Sequence, residues 1–495
     1  MPGGDHYSRM RSLPNSPSLR RRDFLKVVAA GTALLGTSGF RWPRNSLEMA
    51  EAAGAWLRAS RRETRFGLTW PVAPGVLNDE VFHLYSGTPG VILFLLELHH
   101  ATGDEAHLRD AEAGARHLLH AASGGPGSPQ LPDWGLYTGL AGVAYTLSEV
   151  HAAGGDAEIG RGAEALARRV MDDARSLGDG VAWFAGEPAE ASYDIVSGSA
   201  GIGLTLLHFH ERWTGIGEPG AGGEAAGSMG SPGRNALAAS ALEVAQGAGR
   251  LLAARGRPEH MGLKWPMSEA YPRLMPNFSH GTAGVAYFLA RLYEGTGDEA
   301  FLGTAEAGAR YLDAVSTREA GGGCLLFHHE PEGEDLFYLG WCHGPVGTAR
   351  LFQQLAKVTG EPAWLDWVWE GARGMRGQGI PEIRPEGYWN NVSQCCGDAG
   401  AGDFFLALHG STGSPDHLRF AQHLGEYLRG EATEVGGEAQ WIQAENRTQP
   451  ENVMAQTGWM QGAAGVGAFF LHLDGVEKGR KARVVLPDAP FRGLI

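Results

Sequence analysis

The chain has 495 residues, 43% of them hydrophobic and 20% charged, with a formal net charge of −15. Residues 1–44 carry eight Lys/Arg against two Asp/Glu, which leaves the remainder at −21. A body that acidic argues against nucleic acid and anionic membrane surfaces as partners, and the apolar share is that of a large globular protein.

The chain opens on a polar stretch rich in Ser, Pro and Arg. Arg21-Arg22-Asp23-Phe24-Leu25-Lys26 follows, and then an apolar run from Val27 to Leu35. Paired arginines, Phe-Leu-Lys and a modest apolar core, in that order, form the twin-arginine export pattern. The run is too short for a membrane span. Residues 1–44 are therefore expected to be an export signal outside the fold, with the protein periplasmic or extracellular. Residues 45–80 are expected to give a first outer helix and a lead-in.

From there a Gly-x-x-Gly step recurs seven times, starting at Gly87, Gly139, Gly198, Gly281, Gly344, Gly397 and Gly462. The residue before the first glycine is polar every time: Ser86, Thr138, Ser197, His280, His343, Cys396 and Gln461. Each step leads into an apolar helical run such as Val91–Leu98 or Val285–Leu292. Between some steps a Thr-Gly-acid turn, at Thr102, Thr296 and Thr359, opens a second, amphipathic run. The repeating unit is thus two helices. Ser123–Pro132 is a turn-rich break, and Gly215–Gly233 reads as a flexible insertion, because helical pattern resumes at Ala238. The last inner helix ends near Asp474, and residues 481–495 read as a tail. Residues 45–480 form one repeat-built domain.

A chain that enters a buried helix through a crowded centre needs residues without a Cβ, for close approach or for positive φ. An open stack of such units wants distinct polar caps, and none is evident. The expected fold is therefore all-α: a closed α/α toroid of seven inner and seven outer helices, with the polar residues before the glycines gathered around a wet mouth.

Three of the four cysteines stand at two of the steps. Cys342 and Cys395 each lie two residues before a first glycine, and Cys396 follows Cys395. Adjacent cysteines rarely meet disulfide geometry, so disulfides or free thiols are the alternatives to a soft metal, most naturally one zinc per chain. Cys324, outside the glycine pattern, is the one candidate for a fourth ligand that would close the site.

At these residues the chain resembles the lanthionine cyclase family, in its three-cysteine variant. The resemblance rests on Ser-His-Gly at 279–281, Trp-Cys-His-Gly at 341–344 and Cys-Cys-Gly at 395–397, and it spans roughly residues 50–475. It implies an α/α toroid with a zinc at one end, held by Cys342, Cys395 and Cys396, the last in place of the family's histidine. The implied chemistry is addition of a cysteine thiol to dehydroalanine or dehydrobutyrine in a peptide, giving a thioether. Three thiolates already over-neutralise Zn²⁺, so a substrate sulfur in an open fourth position would stay electron-rich.

The resemblance makes His280 the acid/base and Asp194 the group that orients it. In residue terms alone, His280 could cap its helix and Asp194 could be a loop acid. His343 stands where many cyclases carry tyrosine, as a supporting catalytic group or a plain lining residue. The arginine often found shortly before Trp-Cys has no counterpart in Phe337-Tyr338-Leu339-Gly340. The other functional readings are addition of a small thiol such as glutathione, and a non-catalytic zinc toroid that binds peptides. A glycosidase would need a carboxylate pair, for which Asp194 and Asp398 are loose candidates.

Overall fold

The computed structural model describes residues 45–75, 80–123, 133–186, 189–215, 232–384, 388–389 and 391–490. The twin-arginine stretch and most of the Gly-rich insertion lie outside them. Fourteen helices alternate along the described chain. The inner ones follow the glycine steps: α2 (Thr88–Thr102), α4 (Leu140–Gly154), α6 (Ser199–Thr214), α8 (Thr282–Thr296), α10 (Pro345–Thr359), α12 (Asp398–Thr412) and α14 (Ala463–Lys478). The outer ones are α1 (Ser46–Ser60), α3 (Glu105–Ala122), α5 (Ala157–Asp172), α7 (Pro232–Arg255), α9 (Glu299–Val315), α11 (Trp364–Gly377) and α13 (Pro415–Glu431).

Burial explains which helices go inside. Every residue of α4 from Leu140 to Val150 is buried, so that helix is apolar all round and must be enclosed. In α5 only Ile159, Ala163, Leu166, Ala167, Val170 and Met171 are buried. Their spacing of three and four makes one apolar stripe facing inward. Each inner helix packs on the next, and α14 packs back on α2. Helix α1, the first among the described residues, packs on α14 and so serves as the outer helix of the last sector. The expected seven-and-seven toroid is what the chain forms.

A closed circuit of backbone hydrogen bonds runs around the axis. Tyr85 N donates to Tyr137 O, Tyr137 N to Val196 O, Ile195 N to Ser279 O, Ser279 N to Cys342 O, Cys342 N to Cys395 O, Cys395 N to Met460 O, and Met460 N to Tyr85 O, at 2.9–3.1 Å. Six of the seven sectors use the residue two before the first glycine for both bonds. The third slips by one, donating from Ile195 and accepting at Val196.

The glycines are needed where each step folds back against its own sector. The first glycine of each step has φ between −104° and −148°, so positive φ is not the reason. A Cβ on Gly281 would lie 1.8 Å from the Met275 carbonyl oxygen, and one on Gly347 would lie 2.0 Å from that of Trp341. Both glycines of a step are close-approach residues. Positive φ belongs to the far ends: all seven inner helices stop at a left-handed glycine, from Gly103 to Gly479, with φ between 67° and 73°. The three Thr-Gly-acid turns seen in the sequence belong to that wider rule.

Two expectations change. The mouth is less wet than its polar residues suggested: His280 and His343 are each 5% exposed and Gln461 1%. The steps also narrow the throat by bringing seven chains onto one axis. And residues 481–490 are no loose tail. They turn back into the ring, where Asp488 is fully buried, because polar groups of the inner wall take up its carboxylate.

Short strands bridge six of the seven outer helices to the next step; among the described residues none follows Glu105–Ala122. Two groups of them reach the mouth. Gly333–Tyr338 pairs with Phe327–His329 and, in parallel, with Tyr388–Trp389. Glu438–Ala444 pairs with Ala432–Val435 and Val453–Ala455.

Candidate metal centre

Because Cys342 and Cys395 are neighbours in the backbone circuit, their side chains meet. Cys342 Sγ lies 3.3 Å from Cys396 Sγ, and Cys396 Sγ lies 3.5 Å from Cys395 Sγ. One ligand atom from each of the three falls within 4.8 Å of the others. All four cysteines are free thiols, so the disulfide alternative falls away. Cys324 is remote from the trio: its thiol faces the Trp367 carbonyl, and burial pushes it up to about 12. It is not a member of the cluster.

The surroundings suit sulfurs that carry charge. The Tyr85 hydroxyl donates to Cys395 Sγ at 3.3 Å, and Gln461 Nε2 faces Cys396 Sγ at 3.9 Å while donating to Tyr85 Oη at 2.9 Å. Gln461 is itself held by Gln443, whose Nε2 donates to the Gln461 carbonyl. Hydrogen bonds from Cys342 and Cys395 hold the Cys396 thiol well below its ordinary range, while burial drives those two well above theirs. Three sulfurs in van der Waals contact cannot all ionise unaided. A divalent soft cation would remove that conflict, so the donor set fits zinc in kind and number.

Beside the trio stands the second element of the mouth. His280 Nδ1 and Asp194 Oδ2 are 2.5 Å apart, and both side chains are buried. Asp194 Oδ1 accepts from the Ser197 amide at 2.9 Å and hydroxyl at 3.2 Å. The helix-cap alternative for His280 is excluded, since glycine is the N-cap of α8 and no side chain caps it. Asp194 is no free loop acid. Asp398, the other loose acid, pairs with Arg384 at 2.9 Å.

His343 lies between His280 and residues absent from the sequence reading. Its ring is 5.8 Å from that of His280 and stacks on His328 at 3.9 Å and 13°, and Tyr338 meets it edge-on at 5.4 Å. Burial, then the neighbouring histidines, pulls His343 and His328 well below the usual imidazole range. Both are neutral at pH 7. The charge of exposed Arg447, just past strand Glu438–Ala444, bears on both His328 and Tyr338. Tyr85 could have been found in the sequence, since it stands two before its glycine as Cys342 and Cys395 do. His328 and Arg447 could not, for they lie outside the repeat.

A family model described as lanthionine synthetase C-like protein matches residues 79–484. The chain belongs to that family. Among solved structures, nisin cyclase superposes on the LanC-like chain with a TM-score of 0.56 at 16% identity, over 86% of this chain and 93% of that one. The Lin0763 protein from Listeria innocua gives 0.49 at 12% identity, over 88% and 99%. An α-1,6-mannanase of Salegentibacter gives 0.43 at 11%, over 88% and 99%. At these identities the likeness is one of fold. No curated protein matches by sequence. No described helix of this LanC-like protein is long and apolar enough to cross a membrane.

Proposed function

We propose that this protein is a zinc-dependent enzyme that adds a thiol to dehydroalanine or dehydrobutyrine in a peptide, forming a thioether. The observation that carries the reading is the buried Cys342/Cys395/Cys396 trio one link along the backbone circuit from the His280–Asp194 pair, through the Ser279 N to Cys342 O bond. Zinc on the three cysteines, with its fourth position open, would hold the substrate sulfur as a thiolate nucleophile at neutral pH.

The chain's own residues do the rest. Tyr85 and Gln461 hold the ligand sulfurs by hydrogen bonding. The substrate S–H gives up its proton, sulfur bonds to the β-carbon, and the C=C electron pair moves to the carbonyl as an enolate. Returning one proton to the α-carbon completes the addition, with no redox partner. Asp194 fixes the His280 ring through Nδ1, so proton exchange with substrate falls to Nε2. Arg447, whose charge bears on Tyr338 and His328, would offset the charge that develops on the enolate oxygen. His343, neutral and stacked on His328, orients the wall between the acid/base and the sulfur.

The deciding experiment measures zinc and free thiols in the purified protein, then offers a dehydroalanine peptide with peptidyl cysteine or glutathione. Peptidyl thioether formation is expected. Product from glutathione alone would transfer the role to small-thiol addition. Zinc with no thioether from either would leave a peptide-binding toroid. Residues 1–44 act in this reading as a twin-arginine signal. Replacing Arg21 and Arg22 by lysine should retain the protein in the cytoplasm, and undiminished export would sink that assignment.

A further inference from the structure

The chain's last described residues cross the ring on the side of the backbone circuit opposite the cysteines. Arg483 N and Val484 N donate to Glu97 Oε2 at 2.9 and 2.8 Å. The Tyr145 hydroxyl donates to the Val485 carbonyl at 2.9 Å. The strap ends on Asp488, whose carboxylate is fully buried. Oδ1 accepts from the Tyr137 hydroxyl at 3.1 Å, and Oδ2 from Trp341 Nε1 at 3.1 Å and Arg350 Nη1 at 2.8 Å. Arg350 also donates to the Asp488 carbonyl, at 2.9 Å.

Trp341 is the residue before Cys342, and Tyr137 and Phe278 flank its ring at 4.9 and 5.7 Å. Its indole is thus gripped by aromatic faces and anchored at one point by a charged acceptor, a strong hydrogen bond in so dry a place. The next residue, Cys342, makes two backbone bonds, donating to Cys395 O and accepting from Ser279 N. Any shift of Trp341 passes directly to Cys342 Sγ. The carboxylate lies four residues beyond the end of the family match.

We infer that Asp488 is a positioning residue for the metal ligand Cys342, acting through the Trp341 indole, so that the C-terminal strap sets the metal affinity of the mouth from the far side of the ring. The inference rests on the zinc reading above. Groups that orient a ligand from behind are worth about 10–100-fold in metal affinity, and that is the effect expected here.

The test compares the full-length protein with Asp488→Asn, Trp341→Phe, the double variant and Tyr145→Phe. Zinc affinity is read by chelator competition, ligand geometry by the thiolate-to-metal and d–d bands of the Co²⁺ form, and folding by helix content and apo-protein Tm. Asp488→Asn and Trp341→Phe should each weaken zinc by about 10–100-fold and shift the cobalt bands. The double variant should lose no more than the stronger single one, because both break the same link. Tyr145→Phe removes a strap contact away from Cys342 and should leave affinity and bands unchanged. If Asp488→Asn does not fold, Trp341→Phe carries the test alone, since it keeps the Asp488–Arg350 pair. A lowered Tm with zinc affinity and cobalt bands unchanged would make the strap purely structural and overturn the inference. Absence of zinc and cobalt binding in the unaltered protein would overturn the zinc reading, and this one with it.

Discussion

Sectors one and six of the ring share a backbone and differ in what they do with it. Tyr85 and Cys395 both stand two residues before a first glycine, and both donate and accept one bond of the circuit. Yet one offers a hydroxyl and the other a sulfur of the cysteine trio, and they touch at 3.3 Å. Tyr137, at the same place in sector two, sends its hydroxyl the other way, to Asp488. Position in the circuit is thus fixed by backbone alone, and the side chain there is free to serve the mouth, a neighbour or the core. A repeat of this kind needs no new loop to acquire chemistry; it needs one substitution at a place already held rigid.

The sharpest way to break the comparison is at the sulfurs. Cys342→Ala and Cys396→Ala should each lower zinc affinity by more than about 100-fold, since even groups behind a ligand are worth about 10–100-fold. Cys324→Ala should not change it. Metal-to-protein ratios after dialysis against a chelator decide this, and full zinc in Cys396→Ala would rule out the three-cysteine assignment.

His280→Ala should part chemistry from metal. Zinc content should hold while thiol addition to a dehydroalanine peptide falls by about 10²–10⁴-fold, the usual worth of a positioned acid/base. An unaltered rate would remove His280 from the mechanism.

A third pair of variants asks whether the scaffold is equal in both kinds of sector. A Cβ on Gly347 would meet the Trp341 carbonyl oxygen at 2.0 Å, and one on Gly142 would meet that of Leu136 at 2.0 Å. Each alanine should cost at least about 1–3 kcal/mol of stability, as overpacking does. Only Gly347→Ala should also weaken zinc binding. Denaturant melts and metal titrations on both proteins would show whether stability and metal affinity separate in this way.

The smallest effect concerns pH. His83 stands four residues before its glycine, where sector three has Asp194. Burial draws His83 down to about 4. The folded state therefore prefers it neutral, and below pH 6.5 the unfolded chain binds the proton first. Its contribution is present in full above about pH 6.5 and is lost as pH falls towards 4, by at most about 1.4 kcal/mol per pH unit. His83→Gln should flatten the fall of Tm over that window, and an unchanged slope would assign the acid sensitivity elsewhere.

The ring was readable from the sequence because its requirement is the same seven times: two glycines where carbonyl oxygens leave no room for a Cβ. The sulfur trio was readable because Cys342 and Cys395 share a place in the repeat, and His280 because it precedes a glycine as His343 and Cys396 do. What stayed hidden comes from segments without periodicity. Tyr137 and Asp488 are 351 residues apart, and nothing in the Pro-containing end of the chain marks Asp488 as buried. His328 and Arg447 sit on strands and turns between repeats, where pairing depends on partners far away in sequence. The dryness of the mouth was misjudged for a related reason. Polar side chains at the steps were counted as solvent-facing, but the circuit draws them together until they shield one another.

The seam of the ring has a consequence for synthesis. Its last link is Met460 N to Tyr85 O, its last sector borrows α1 from the beginning of the chain, and Asp488 locks the axis from the end. Domains ordinarily fold as units while the ribosome is still at work. Here the early helices can pair into hairpins as they emerge, but none can join a finished circuit until α14 and the strap have left the exit tunnel. The nascent protein therefore carries an open arc, with α1 lacking its partner until α14 is made, and the three cysteines arrive late, Cys342 well before Gln461 that faces Cys396. Closure, and with it a joined cysteine trio, has to wait for α14.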